Sequence, residues 1–474
     1  MINNEEFRKY GHQLVDWMAD YFENIEELPV KSQVKPNEVL NQLPDDAPVK
    51  GESMEHILKD FQEIIMPGMT HWQHPNFHAY FPANGSYPSL LAEMLMSTMG
   101  AQCMIWDTSP AAAELEEQVM KWIQKLSVIP EEWYGVIQDT ASTATLASIL
   151  TAREQVTRFQ INQHGFDDRK LRIYCSTETH SSIEKAVKIA GIGSKNLVKI
   201  PCDKKAAMIP SLLEEAIEKD LEAGFLPTAV IVAIGTTGTL GIDPLDAIGD
   251  ICQQHNVWLH VDAAYAGTAM LLPEYQWMIK GIEKADTYVF NPHKWMFTNF
   301  DCTAYYVKDR DALLNTFEIL PEYLKTRTEG LVNNYRDWGI PLGRRFRALK
   351  LWFVIRNYGV EGIRNTLRNH ISLANELSAA IEKQGNYRLI TPTTLNVICF
   401  RYFDDSLSET ALDRINEQIV HQINTSGDAY LTHTRFDGHY TMRLVLGQTY
   451  LRQTHVDKVW TVIQRCTEEV LEQQ

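Results

Sequence analysis

An α/β fold with a mostly parallel central sheet is predicted by three features of the 474-residue chain. Short apolar runs recur at 171–176, 197–201, 228–236, 257–261 and 287–290. Helical patterns lie between several of them, as at 181–189 and 210–223, where Pro210 suits a first helical position. From about Gly359 the pattern changes, a helical segment being followed by two apolar runs in succession. Strands joined by helical crossovers imply a parallel sheet covered on both faces, with ligands bound beyond the strand C-termini.

In chain order, residues 4–25 carry Phe7, Tyr10, Leu14, Trp17, Met18 and Tyr21 at three- and four-residue steps, an amphipathic helix with Asn4 as its expected N-cap. Its aromatic stripe needs a surface to cover, either its own chain or a partner subunit. Residues 28–52, rich in Pro and Asp, read as a connecting arm. The alternating region follows, and residues 304–306 offer one more strand after the 287–290 run. Beyond it, a helix at 363–380, strands at 387–390 and 395–400, a helix at 407–423, a strand at 442–446 and a helix at 455–471 describe a smaller α+β domain. The expected divisions are 1–85, an N-terminal helical dimerisation segment; 86–358, a large cofactor-binding domain; and 359–474, a small C-terminal domain.

Composition narrows the function classes. With 45% apolar and 22% charged residues the chain reads as globular rather than disordered. Sixty-one acidic against 44 basic residues, a formal charge of -17, argue against a nucleic-acid partner. Seven scattered cysteines without a CxxC pair, no signal-peptide pattern at MINNEEF and no apolar run of spanning length lead us to expect a reducing cytoplasm, no membrane partner and no metal.

Several strand ends carry chemistry. Lys294, in Asn291-Pro292-His293-Lys294-Trp295, follows one apolar run; Asp262, in His260-Val261-Asp262-Ala263-Ala264-Tyr265, ends another. A lysine able to form a Schiff base and a carboxylate able to keep a pyridine nitrogen protonated suit a pyridoxal phosphate site. Alone, Lys294 has an ordinary reading as a flanking lysine and Asp262 as a turn former. Thr140, Ala141 and Ser142 open a helical pattern, where hydroxyls and unpaired N–H groups attract phosphate, although simple capping explains such residues equally well. His180 and Thr237 follow two further runs, the first as a ring able to stack on a planar cofactor, the second as a hydroxyl near its phenolic side or near Asp262.

At this point the chain resembles the pyridoxal-phosphate-dependent group II decarboxylases, specifically the aromatic-L-amino-acid decarboxylases. The resemblance runs nearly end to end, through residues 74–82, Ser109-Pro110-Ala111 to Glu114-Leu115-Glu116, residues 260–267, residues 291–295 and Pro341-Leu342-Gly343-Arg344-Arg345-Phe346-Arg347. It implies the type I, aspartate-aminotransferase-like fold and a homodimer with active sites at the subunit interface. It makes Lys294 the Schiff-base lysine, Asp262 the pyridinium partner and His180 the stacking ring. Thr140, Ala141, Ser142, Asn291 and His293 would surround the phosphate, with Thr237 near the cofactor. Trp72, Tyr80, Phe81, Pro82, Met104 and Gly343 would form the substrate pocket. Two departures stand out: Asp139 where the related motif commonly has Gly, and Thr143 where an acidic residue is usual.

Family members that form amines carry a tyrosine matching Tyr323, which would protonate the substrate carbon after carbon dioxide leaves; relatives with phenylalanine there tend toward aldehydes. Gly343 matches a position where related plant enzymes with Gly favour indolic substrates, which points to tryptophan or 5-hydroxytryptophan. The competing readings are an aromatic acetaldehyde synthase, disfavoured by Tyr323; a glutamate-type decarboxylase, for which no cationic anchor is evident; and a noncatalytic cofactor-binding scaffold, disfavoured by Lys294 with Tyr323.

Overall fold

In a computed structural model, residues 2–319 and 331–473 are described. The chain forms two compact units, one of residues 83–375 and 389–399, the other of residues 1–82, 376–388 and 400–474.

The larger unit contains a seven-stranded sheet built from β1 (Tyr134–Gln138), β2 (Leu171–Ser176), β3 (Leu197–Ile200), β4 (Leu226–Ala233), β5 (Trp258–Asp262), β6 (Thr287–Phe290) and β7 (Thr303–Val307). Its order is β1-β7-β6-β5-β4-β2-β3. From β3 to β6 all neighbours are parallel, and β7 runs antiparallel between β6 and β1. The β6–β7 connection carries only the one-turn helix Pro292–Trp295, too short a helix to cover the sheet as a crossover, and the strand reverses. Strands covered on both faces bury nearly every residue, as β4 and β6 do, which is why they read as unbroken apolar runs. The expected strands therefore appear with only small shifts at their ends.

The four-stranded sheet has the order β10-β11-β9-β8, from β8 (Tyr387–Leu389), β9 (Val397–Tyr402), β10 (Thr432–Phe436) and β11 (His439–Val445). Its β10–β11 hairpin turns at Asp437-Gly438, both with positive φ (50° and 83°), the conformation of a two-residue turn. Helices Glu409–Ser426 and Gln453–Glu472 pack together in the same unit.

Two sequence expectations change. The first helix, Asn4–Glu23, is capped by Asn3 rather than Asn4: the Asn3 side chain accepts from the Glu5 and Glu6 N–H groups, and Glu6 returns a bond to the Asn3 N–H. A glutamate three residues on selects Asn3, because only that spacing closes the reciprocal box. The helix expected at 363–380 belongs to a helical run Arg347–Lys383, kinked at Gly359 (φ 64°). At Gly359 the backbone leaves the helical region (φ 64°, ψ 166°), so the pattern break marks the junction of two helices, in a conformation that glycine adopts at least cost. Among the described residues, no helix is long and apolar enough to cross a membrane.

Candidate active site

Asp262 is the last residue of β5 and is buried. Its Oδ1 accepts the Ala264 N–H at 3.0 Å, and its Oδ2 has no protein hydrogen bond among the described residues. On the neighbouring strand, β6 ends at Phe290, Asn291 caps the one-turn helix, and Lys294 lies within it. Two main-chain bonds join the segments: Ala263 N donates to Val289 O and Asn291 N to Ala264 O, each at 2.9 Å. Lysine and carboxylate thus stand on one edge of the sheet, where the sequence placed them.

His180 follows β2. Its Nδ1 accepts the Ser182 N–H at 3.2 Å and lies 2.8 Å from the Ser182 hydroxyl. Burial lowers the ring's pKa, Asp262 pulls it up, and Lys294 pushes it down again. One imidazole responding to both groups brings His180, Asp262 and Lys294 into a common field. His293 is buried and accepts the Cys302 N–H on Nδ1 at 3.0 Å, so a neutral ring carries its proton on Nε2. Burial, with Lys294 adjoining, pushes its pKa down to about 3.

Beside them, β1 runs into helix Ala141–Thr157, with Thr140 as its N-cap. Thr140 Oγ1 accepts the Thr143 N–H at 3.4 Å, while the N–H groups of Ala141 and Ser142 lie in the first turn, beyond intrahelical partners. Ser142 is exposed and Ala141 buried. Asp139 turns its Oδ1 onto the Thr140 N–H at 2.7 Å. The Thr303 hydroxyl lies 3.0 Å from Asp139 O and 2.7 Å from Asn291 Oδ1, tying this loop to the lysine segment. A single hydroxyl proton serves both contacts if Thr303 donates to the carbonyl and the Asn291 amide is turned to donate to Thr303.

Sequence reasoning had assigned no role to the groups that brace this edge. The Arg344 guanidinium donates to Glu116 at 2.6 Å and to Ile137 O at 2.7 Å, and Glu116 also accepts the Ile137 N–H, fixing the end of β1 before the loop. Arg347 grips Asp301 with two bonds of 3.1 and 3.0 Å. A buried polar chain links Trp258 Nε1, Ser148, Thr287, His260 and Thr145 at 2.7–3.0 Å, pinning the Ala141–Thr157 helix to β5 and β6. Glu116, Arg344, Arg347 and His260 stood in recognisable motifs; Thr303 carried no local signal.

Thr237 lies in the turn four residues past β4 and is exposed. Met104 lends its carbonyl to Arg336 N at 2.8 Å. Gly343 is exposed, and among the described residues a Cβ there would meet only Gln102, at 3.4 Å or beyond. Trp72, Tyr80, Phe81 and Pro82 belong to the other unit. There Trp72 and Tyr80 stack at 5.8 Å, Tyr80 Oη lies 3.2 Å from Tyr430 Oη, and Arg443 covers the Phe81 ring at 4.6 Å while donating to Tyr80 O. Tyr323 lies outside the described residues.

Pyridoxal phosphate fits this donor set: an amine, a carboxylate with an oxygen left over, a partly exposed ring and a helix N-terminus offering N–H groups to an anion. Residues 36–403 match the family model described as "Pyridoxal-dependent decarboxylase conserved domain". Phenylacetaldehyde synthase of Arabidopsis thaliana is 41% identical, over 98% of this chain and 96% of its own length. Tryptophan decarboxylase 2 of Oryza sativa subsp. japonica is 38% identical, over 99% and 96%. The crystal structure of Catharanthus roseus tryptophan decarboxylase in complex with L-tryptophan superposes with a TM-score of 0.93 at 36% identity, covering 99% of both chains. With the type I, aspartate-aminotransferase-like architecture, this chain belongs to the group II, aromatic-amino-acid family of pyridoxal-phosphate-dependent decarboxylases and is a carboxy-lyase.

Proposed function

We propose that the protein decarboxylates an aromatic L-amino acid to its amine, favouring tryptophan or 5-hydroxytryptophan. The observation that carries the reading is the pair of main-chain bonds that joins the Asp262 and Lys294 segments at the ends of adjacent strands, with His180 following a further strand of the same sheet. Bound there, pyridoxal 5'-phosphate supplies a sink for the electron pair released as the carboxylate departs. Lys294 Nζ would anchor it through its amine. Asp262 would hold a proton on the pyridine nitrogen, His180 would stack on the ring, and the first turn at Thr140, Ala141 and Ser142 would hold the phosphate with Asn291 and His293. Thr237 would serve near the cofactor's phenolic side. Tyr323 delivers the proton to the substrate carbon.

An aldehyde synthase and an amine-forming decarboxylase resemble this chain almost equally, at 41% and 38% identity, so overall similarity does not choose between the two products. Tyr323 does, by the chemistry of a phenol as proton donor. Gly343 has no side chain and, among the described residues, only Gln102 near its Cβ position, which favours an indole; Met104 and, in the other unit, Trp72, Tyr80, Phe81 and Pro82 are the further residues assigned to the substrate. A homodimer in the cytoplasm completes the reading, with residues 1–85 as the dimerisation segment. Its support is apolar surface: helix Asn4–Glu23 buries none of its residues and leaves Phe7 65% exposed, and helix Tyr87–Met99 exposes Leu91, Leu95 and Met99.

The test incubates cofactor-loaded protein with tryptophan, 5-hydroxytryptophan, dopa, tyrosine, phenylalanine and glutamate separately and identifies the products by mass spectrometry. Tryptamine or serotonin should dominate, and Tyr323→Phe should divert product from amine to aldehyde. Aldehyde from the unmodified protein, or amine from glutamate, overturns the reading.

A further inference from the structure

The segments bearing Asp262 and Lys294 meet a second time through their neighbours. Tyr265, three residues past Asp262, and Trp295, directly after Lys294, are both fully buried. Their rings stack with centroids 5.1 Å apart and planes 11° from parallel. The Trp295 indole N–H donates to His370 Nδ1 at 3.0 Å, and the Tyr265 hydroxyl accepts from Asn396 Nδ2 at 2.6 Å. His370 comes from the helical run Arg347–Lys383 beyond its kink, Asn396 from the chain entering β9, and both are fully buried.

An indole N–H can only donate, so His370 Nδ1 must present its lone pair, which places the proton of a neutral ring on Nε2. Trp295 is then fixed from two directions, by Tyr265 on its face and His370 at its edge. The helix that contains it is a single turn, Pro292–Trp295, and one turn has almost no stiffness of its own. Whatever sets the height and rotation of Lys294 must come from contacts outside that turn. A phenyl ring would fill much of the same space with no buried polar group to satisfy; an indole matched to an imidazole adds direction.

We propose that Trp295 and His370 are positioning residues for the decarboxylation, holding Lys294 in register with Asp262 through the Tyr265–Trp295 stack and the indole–imidazole hydrogen bond. The proposal rests on Lys294 being the cofactor lysine. It requires nothing of the substrate, since the stacked pair acts through the segments that bear Lys294 and Asp262. Losing the hydrogen bond frees the turn to rotate and blurs the angle at which Lys294 presents its amine, which weakens the chemical step more than binding.

The experiment compares His370→Leu, which removes the acceptor, with His370→Gln, which keeps one, and with Trp295→Phe, which keeps a ring and removes the N–H. The readouts are the visible circular dichroism per mole of bound cofactor, kcat and KM separately, and the melting temperature. His370→Leu and Trp295→Phe should lose at least about half of the visible ellipticity and about ten-fold or more in kcat, with KM within about two-fold, and His370→Gln should recover most of both. Full ellipticity and kcat in Trp295→Phe, with only a lower melting temperature, mean that the pair is ordinary core packing and overturn the proposal. Trp295→Phe carries the test if His370→Leu does not fold. Lys294→Ala in the same assay separates the layers: an unchanged cofactor band overturns the lysine assignment itself, whatever His370 does.

Discussion

At the scale of single residues, Asp139 is where this chain departs from its relatives' pattern, and its geometry says what the departure does. Its Oδ1 takes the Thr140 N–H at the helix start expected to receive phosphate. The side chain thereby performs a useful capping task while setting a negative charge beside an anion site. Arg347 is paired with Asp301 through two hydrogen bonds. An Asp139→Asn variant separates the two roles, because the amide oxygen still accepts from Thr140 while the charge is gone. Removing one like charge roughly 7 Å away through water is worth about 0.6 kcal/mol, so the variant should bind pyridoxal phosphate roughly three-fold tighter. The gap should shrink in 0.5 M salt, where screening reaches only a few ångströms. Equilibrium titration followed by cofactor absorbance measures this, and weaker binding at both salt concentrations would make Asp139 a structural cap only. Thr143 fits the same picture: its N–H goes to Thr140, so the first turn is capped without an acidic side chain.

At the scale of elements, the motif 260–267 owes its final glycine to a close approach. A Cβ on Gly267 would overlap Phe290 Cβ and come within 2.7 Å of Tyr288 Oη. The turn after Asp262 therefore lies flat against the strand that delivers Lys294, and glycine permits it. Gly267→Ala should cost about 1–3 kcal/mol through overpacking and should also loosen the cofactor, since Phe290 immediately precedes Asn291. Gly51→Ala, with open space at its Cβ position, is the matched control. Urea unfolding with and without cofactor gives the answer; equal stability of the two variants would mean that the turn moves away at no cost. Such contacts explain what was and was not legible beforehand. Strand-end chemistry was readable because fully buried parallel strands are continuous apolar runs that stop where Asp262 and Asn291 begin. The Trp295–His370 bond joins residues 75 positions apart, and nothing local to His370 announces it. β1 escaped because Gly135 and a half-exposed start interrupt its apolar pattern, and β10 because it is a polar edge strand, although Asp437-Gly438 carried a hairpin signal that the apolar runs overshadowed.

Across the whole molecule, the burial that makes the architecture legible also fixes how it responds to acid. Burial holds His74, His260 and His293 down to about 3 and His78 to about 4, and these four neutral rings are spread over both units. Their folded pKa values lie below the unfolded value near 6.5, so the stability they contribute is complete above that pH and is lost as pH falls toward the folded values. Asp243 and Asp286, pushed up to about 7 and about 6 by burial, act in the opposite sense: the folded state keeps their protons while the unfolded chain releases them, so their contribution fades as pH rises. Between about pH 4.5 and 6 the four histidines outweigh the two aspartates by about two protons, and stability should fall on acidification by about 2–3 kcal/mol per pH unit. Urea midpoints at pH 7.5, 6 and 5 test the net slope, and two variants test its parts. His260→Gln takes one proton away from the unfolded side and should flatten the dependence, even though it weakens the links to Thr145 and Thr287. Asp243→Asn removes a proton from the folded side and should steepen it, while retaining an acceptor for one of the two N–H groups, Met208 and Ala233, that the carboxylate now serves. Slopes that move together in the two variants would contradict this assignment, because opposite signs are what buried imidazole and buried carboxyl groups require.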